Sequence, residues 1–234
     1  MKEEGKENEE ELKQIEYKFI LLGDSSVGKS SIFRRLSGKS FTENMISTIG
    51  LEKIIIDFND IIIDENESQN FKILLFDTAG QEKYRSITRS YFKGSQGIIL
   101  LYNIVDEDSF QHIQVWLDSI KESLSDWKRS GYIVMLLGNK LDIAEENPEK
   151  RMIQVVEAEK ICSNEGIYWG GECSAKTFDK NKFKEIFEKF LKQIYLKLKD
   201  GNNDENSQKQ IISDIKSYWI REKRKKRKKL CCSK

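Results

Sequence analysis

An eight-residue segment, 23–30, carries the residue types of a phosphate-binding loop. It reads GDSSVGKS, which fits the pattern G-x-x-x-x-G-K-[ST], and it lies between an apolar run and a helical pattern. Gly23 and Gly28 let the backbone turn so that successive amides face phosphate oxygens. Lys29, near the start of a helix, supplies charge to the β- and γ-phosphates, and the Ser30 hydroxyl can ligate Mg²⁺. The segment predicts a nucleoside triphosphate site but leaves the base open, because ATPases, kinases and GTPases share this pattern.

Two polar segments further along the chain favour guanine as the base. Each follows an apolar run, at the end of a predicted strand; they contain Asn139, Lys140 and Asp142 in NKLD, and Ser174, Ala175 and Lys176 in SAK. The Asp142 carboxylate can accept hydrogen bonds from N1–H and the exocyclic amino group of guanine. Adenine offers neither donor in that arrangement, and a buried carboxylate left unpaired would penalise it. A backbone amide of the second segment can meet guanine O6.

Further positions suit a metal ion and the γ-phosphate. Asp77 ends the apolar run 71–76, where a carboxylate fits the coordination sphere of Mg²⁺, and Thr48 offers a second hydroxyl ligand. The Gly80 amide can approach the γ-phosphate, and Gln81 can orient the attacking water. We therefore expect Lys29 and Gln81 to act in hydrolysis, and Ser30, Thr48 and Asp77 to hold the metal.

Apolar runs and helical patterns alternate along the chain. The runs predict strands at 17–22, 51–58, 71–76, 97–102, 132–137 and 167–173, with a polar loop at about 59–70 between the second and third. Helical spacing covers 29–36, 108–124 and 154–162. It is clearest in a last helix, whose apolar positions are Phe183, Ile186, Phe187, Phe190, Leu191 and Ile194. This alternation predicts an α/β domain with a doubly wound sheet, which binds ligands at the carboxyl ends of its strands.

Both ends of the chain differ in composition from the middle. Residues 1–14 are acidic with little to bury, unlike a signal peptide, and predict a disordered extension before a domain at 15–199. The tail, 200–234, begins as a polar linker. Residues 221–234 then hold nine basic residues and one acid, so the rest of the chain sums to about −7. Charge confined to a tail argues against nucleic-acid binding by the domain.

The motifs GDSSVGKS, STIG, DTAGQE, NKLD and SAK resemble, in this order, the five nucleotide-site motifs of the Ras superfamily. The resemblance covers roughly 17–198 and implies a single P-loop G domain, with a mostly parallel six-stranded sheet and helices on both faces. It implies GTP and GDP as ligands, Mg²⁺ as cofactor, slow intrinsic turnover, and Phe41 stacked on the guanine edge. Thr48 and Gly80 would hold two switch loops closed on the γ-phosphate. The residues that would line the phosphates are Asp24, Ser25, Ser26, Val27 and Ser31, with Gly23, Gly28, Lys29 and Ser30.

Within that superfamily the chain resembles the Rab family. The resemblance rests on the segments KYRSI, YFKG and LLYNI, which follow Gln81, and on the paired cysteines near the end of the sequence. The resemblance implies a switch in vesicle traffic with Cys231 and Cys232 geranylgeranylated. It also implies a cytoplasmic membrane face in exchange with the cytosol, no nucleic acid, and protein partners. These are an exchange factor, a GTPase-activating protein, a GDP-dissociation inhibitor, a prenylation escort protein and effectors. Lys53 and Phe76 stand where Rab proteins carry aromatic and tryptophan residues, so effector identity does not carry over.

Three other functions stay open on sequence grounds. They are a membrane-tethered module that binds GTP with negligible hydrolysis, an ATP-using enzyme, and a Ras- or Rho-type signalling GTPase. The basic run is also compatible with a nuclear-localisation or RNA-binding patch. Among single residues, His112 is the only histidine and is expected at the surface or in packing, and Trp116 in the core. Cys162 and Cys173 are expected to be buried apolar residues.

Overall fold

The computed structural model of the chain describes residues 14–43, 52–78, 94–123 and 132–200. Its six strands form one sheet in the order β2-β3-β1-β4-β5-β6. They are β1 (Ile15–Leu22), β2 (Glu52–Asp64), β3 (Glu67–Asp77), β4 (Gly97–Asn103), β5 (Ile133–Asn139) and β6 (Tyr168–Glu172). Only the pairing of β2 with β3 is antiparallel; the other neighbours run parallel. The predicted mostly parallel six-stranded sheet is confirmed.

The helices connect these strands and lie on both sides of the sheet. They are α1 (Lys29–Leu36), α2 (Glu107–Ser123), α3 (Leu141–Glu146), α4 (Val155–Glu165) and α5 (Lys180–Asp200), with a 3₁₀ turn at Pro148–Lys150. The predictions missed α3, whose six residues are too few to show a helical period. Gln154 was predicted inside α4 but caps it: the side chains of Gln154 and Glu157 bond each other's backbone in a capping box.

Two apolar cores account for the continuous apolar strands. Along β1, Phe19 and Leu21 face one core, with α1 and α5, whereas Ile20 and Leu22 face the other, with α2 and α4. A strand buried on both faces has no polar side, so it reads as an unbroken apolar run. Helices on both faces are confirmed.

The predicted polar loop at 59–70 is wrong. Strand β2 continues to Asp64 and β3 begins at Glu67, so only two residues form the turn. Ile61 and Ile63 are 5% and 2% exposed and extend the buried face of β2. The residue between them, Ile62, is also apolar although it is 71% exposed, and polar residues flank the run on both sides, so the alternation of buried and exposed positions did not show in the sequence. The register shifts after Phe58, close to Asp60 at a φ of +57°.

The carboxyl ends of β1, β3, β4 and β5 meet at one edge of the sheet. Leu21 pairs with Asp77 and Asn103 pairs with Asn139 in the strand register. Among the predicted site residues, Asp77, Asn139 and the loop that follows β1 lie at this edge. Within the described residues, no helix is both long and apolar enough to span a membrane.

Candidate functional site

The segment between β1 and α1 has the backbone of an anion-binding loop. Gly23, Ser26 and Gly28 adopt positive φ angles of +131°, +61° and +100°. A Cβ on Gly23 would lie 2.2 Å from the carbonyl oxygen of Leu101, and one on Gly28 would lie 2.2 Å from Nδ2 of Asn139. Both glycines are therefore required by close approach as well as by conformation. Residues at positive φ within a turn can direct successive backbone amides toward one concave side, where an anion binds.

Lys29 lies under this loop with its amine directed at the backbone. The residue is 4% exposed, and Nζ donates to the carbonyl oxygens of Gly23 at 2.8 Å and Asp24 at 2.5 Å. Its position at the start of α1 adds the ammonium charge to the positive end of the helix dipole. The loop and the helix end thus form a positively charged cradle suited to phosphate.

Asn139, at the end of β5, joins three of the predicted motifs. Its Nδ2 donates to the carbonyl oxygen of Val27 at 2.8 Å, and its Oδ1 accepts from the Ala175 amide at 3.1 Å. The side chain is 1% exposed. The phosphate-binding loop and the two predicted base-binding segments are therefore held in one arrangement by a single amide.

Asp142 is held beside the second base-binding segment. Ser174 Oγ donates to Asp142 Oδ1 at 2.5 Å, and the same Oγ accepts from the amides of Lys176 and Thr177 at 3.1 Å each. Asp142 is 5% exposed, so its carboxylate is oriented by protein rather than by water. The preceding Lys140 adopts a φ of +71°, and burial lowers its pKa below the usual lysine range.

The residues near the loop fit a magnesium ion. Asp77, 1% exposed, ends β3 opposite Leu21, and Ser30 lies in the first turn of α1. A hydroxyl and a carboxylate are hard oxygen ligands, and Mg²⁺ characteristically completes its shell with waters and nucleotide phosphates. The described residues hold no cluster of three His, Cys, Asp or Glu able to bind a metal unaided. This donor set fits an ion that arrives with a nucleotide.

The side chain of Asp24 makes contacts that the sequence did not predict. Trp116 Nε1 donates to its Oδ1 at 2.7 Å, and His112 Nδ1 lies 2.5 Å from its Oδ2. The carboxylate therefore faces α2, while its backbone carbonyl receives Lys29. The available signal was the spacing of His112 and Trp116, four residues apart and hence on one helix face.

The other predicted residues are placed as follows. Ser25, Ser26 and Lys176 are exposed, Val27 is buried, Ser31 is half-buried, and Phe41 packs half-buried against the core that contains α1 and α5. Thr48, Gly80, Gln81, Cys231 and Cys232 lie outside the described residues, and their roles remain predictions. Trp116, Cys162 and Cys173 are buried as expected.

Comparisons with known proteins agree with this geometry. Residues 18–196 match the model of the Ras family. The chain is 40% identical over 200 residues to Ras-related protein Rab-13 of Canis lupus familiaris, covering 86% of this chain and 90% of that protein. It is 38% identical over 192 residues to Rab-8B of Pongo abelii (82% and 84% covered) and 34% identical over 217 residues to Rab-11B of Dictyostelium discoideum (87% and 90% covered). The site, the sheet order and these similarities show that the chain belongs to the Ras family and is a Rab-like small GTPase, a guanine-nucleotide-binding hydrolase of GTP.

Proposed function

We propose that the chain is a Mg²⁺-dependent switch that recruits effectors to a membrane in its GTP form, with the residues of the sheet edge in the following roles. The observation that carries the proposal is the pair of Asn139 hydrogen bonds, which fix the phosphate-binding loop against the base-binding segments. Asp142 accepts from N1–H and the amino group of guanine. The Ala175 amide faces O6, Lys140 and Lys176 flank the base, and Phe41 covers its edge.

The phosphates occupy the concave side of the loop at 23–31. Amides of the loop and the Lys29 ammonium bind the β- and γ-phosphate oxygens. Ser30, Thr48 and Asp77 hold Mg²⁺, which supplies charge neutralisation at the transferring phosphoryl group. Gln81 orients the attacking water. Thr48 and Gly80 contact the γ-phosphate and hold the two switch segments closed on it.

The tail attaches the switch to a membrane. Cys231 and Cys232 carry geranylgeranyl groups, and eight cationic residues among the nine at 221–229 bind an anionic leaflet. The folded domain spans 15–199, the N-terminal extension 1–14 and the tail 200–234. The partners are an exchange factor, a GTPase-activating protein, a GDP-dissociation inhibitor, an escort protein for prenylation and GTP-state effectors. The protein resides on the cytoplasmic face of an intracellular membrane and exchanges with the cytosol.

Phosphate release from GTP and ATP tests the catalytic part of the proposal. In the presence of Mg²⁺, we expect slow release of phosphate from GTP and none from ATP. Gln81→Leu should abolish this release but leave GTP binding intact. ITP lacks the exocyclic amino group, so Asp142→Ala should reduce the preference for GTP over ITP. Tight GTP binding without turnover in the wild-type protein would favour the tethered binding module, and turnover of ATP would contradict the guanine assignment.

Chelation tests the metal. If Mg²⁺ bridges the protein and the phosphates, excess EDTA should accelerate GDP dissociation, and Ser30→Ala should reduce that acceleration. The matched control is Ser37→Ala, whose hydroxyl bonds the Arg34 carbonyl at the far end of α1. GDP dissociation that is unaffected by EDTA would contradict the proposed metal site.

A further inference from the structure

A histidine and a tryptophan on α2 hold the only side-chain carboxylate within the 23–30 segment. Asp24 receives the Trp116 indole N–H at 2.7 Å, and His112 Nδ1 lies 2.5 Å from its other oxygen. The Asp24 side chain is 17% exposed, whereas that of His112 is 51% exposed and can exchange protons with solvent. Trp116 is buried at 7% exposed, which gives the contact a rigid support.

The charge of this carboxylate opposes the function of the loop that carries it. The backbone of 23–30 binds polyphosphate in the proposed site, so a negative charge at Asp24 disfavours the anionic ligand. A protonated His112 neutralises that charge, whereas a neutral imidazole leaves it in place. An imidazole nitrogen that bears hydrogen can donate to Asp24 in both protonation states, so the hydrogen bond persists while the charge changes.

We propose that His112 and Trp116 are positioning residues of the phosphate-binding loop, acting through Asp24, and that protonation of His112 slows nucleotide release. This inference rests on the proposed phosphate-binding role of 23–30. It makes the affinity of the switch for its nucleotide sensitive to pH across the range in which His112 changes protonation state, and histidine is the side chain whose charge most readily changes near neutral pH.

The described charged groups around His112 favour this coupling. Across from it on the loop is the Asp24 carboxylate, and the Lys29 amine of the same loop is engaged by the carbonyls of Gly23 and Asp24. On its own helix, Asp108 lies one turn earlier and adds a second negative charge on that side. Glu107 is hydrogen-bonded by Gln111 at 3.2 Å. The sole histidine of the chain thus faces acids on both elements.

The test is the dissociation rate of fluorescent GDP from the full chain at constant Mg²⁺, between about pH 5.5 and 8.0. The terminal phosphate of GDP also titrates near about pH 6, so each rate is divided by that of His112→Gln at the same pH. We expect the ratio of the wild-type rate to the His112→Gln rate to rise about two- to fivefold from the acid to the neutral end. A change of this size corresponds to the modest strength of a partly exposed ion pair. Asp24→Asn should remove the rise, and Trp116→Phe should keep it while releasing GDP faster at every pH.

A matched control separates this contact from a general charge effect. Gln114 is exposed on the same helix. The double variant His112→Gln, Gln114→His therefore returns an imidazole to α2 without restoring the native one facing Asp24. Its ratio should stay constant with pH. A constant wild-type ratio, or a rise in the double variant, would overturn the inference. Failure of every protein to bind GDP at any pH would instead overturn the proposed phosphate site itself.

Discussion

The Asn139 side chain makes the proposed nucleotide site a preformed structure rather than one assembled by the ligand. Both its donor and its acceptor are used inside the protein, on Val27 and Ala175, which are 112 and 36 residues away in sequence. A site ordered before binding does not lose further conformational freedom when the ligand arrives. The segments that we propose bind the base are therefore in place before guanine enters.

Removing this side chain should affect stability and nucleotide retention together. Asn139→Ala leaves the Val27 carbonyl and the Ala175 amide buried without that partner, and each such group costs about 1–3 kcal/mol. We expect urea unfolding to show a loss of about 2–4 kcal/mol and GDP to dissociate at least about tenfold faster. Asn181→Ala, at an exposed position at the start of α5, is the control. An Asn139→Ala protein as stable as this control would refute the bridging role.

Tyr102 differs from Asn139, whose polar atoms are hydrogen-bonded within the protein. Its ring is fully buried against Phe110, and its hydroxyl has no hydrogen-bond partner among the described residues. Burial raises the pKa of this phenol, so the hydroxyl remains neutral and uncompensated. Tyr102→Phe should therefore keep the packing and raise the free energy of unfolding by about 1 kcal/mol or more, measured by urea denaturation. A clear destabilisation would show that the hydroxyl has a partner after all.

At the scale of elements, the β2–β3 hairpin is attached to the last turns of α5. Lys199 donates to Glu67 Oε2 at 2.7 Å, Tyr195 Oη donates to Glu67 Oε1, and the Tyr195 ring packs edge-on against Phe71. The bond from Lys199, followed by that from Tyr195, lowers the pKa of Glu67 to about 2. This carboxylate stays charged through mildly acid conditions, and the hairpin tip is held where α5 leads into the tail.

Tyr195→Phe tests that attachment without removing the ring. The variant keeps the contact with Phe71 and loses one hydrogen bond to a solvent-accessible charged group, so we expect a small loss of stability. Thermal unfolding should show a lower midpoint, in contrast to Tyr102→Phe, which carries the same chemical change and should show a higher one. Because the Glu67 pKa is lowered, the difference from wild type should disappear as pH falls from about 4 toward 2. A difference that persists at acid pH would point to the ring instead.

Local patterns predicted some elements well and others poorly. The turn between β1 and α1 and the helix α5 were predictable because spacing within one segment defines them. The end of β2 was not, because Ile61 and Ile63 are separated from the rest of that strand by the irregularity at Asp60. The contacts of Asp24 were out of reach for another reason: they depend on the rotation of α2 relative to a loop about 90 residues earlier.

At the scale of the whole molecule, buried thiols link stability to alkaline pH. Burial raises the pKa of Cys162 to about 12, and burial also raises that of Cys173. Above about pH 8.5 the thiol ionises in the unfolded chain but not in the folded one, so the folded state binds more protons and stability is lost as pH rises. Buried lysines have the opposite effect on stability as pH rises. Burial lowers the pKa of Lys18 to about 8, so this lysine loses its proton in the folded state before it does in the unfolded chain.

The thiol contribution can be isolated by comparison with a variant. The stability of wild type relative to Cys162→Ala should fall by about 1.4 kcal/mol per pH unit above about pH 8.5. Urea denaturation at several pH values measures this difference, in which the lysine contributions cancel. Ser163→Ala, at the exposed neighbouring position, should show a difference independent of pH. A constant difference for Cys162→Ala would mean that its thiol ionises equally in both states.

The charge distribution of the whole chain predicts how it meets a membrane. The nine residues 221–229 include eight cations, whereas residues 1–220 are net negative. Each cation near an anionic leaflet is worth about 1 kcal/mol, and salt screens this attraction. The unlipidated full chain should therefore bind vesicles containing phosphatidylserine, with binding falling between about 0.05 and 0.3 M salt. It should not bind neutral vesicles.

Four substitutions in the tail, matched by four in the domain, locate that attraction. Changing Lys225, Lys226, Lys228 and Lys229 to Gln should abolish most cosedimentation with anionic vesicles. The same change at four exposed lysines of α5, Lys180, Lys182, Lys184 and Lys189, alters net charge equally and should have little effect. Equal losses in the two variants would mean that net charge, rather than the tail, brings the protein to the surface. Retention of RNA binding by the domain variant, with no vesicle binding by any protein, would assign the basic run to a nucleic acid instead.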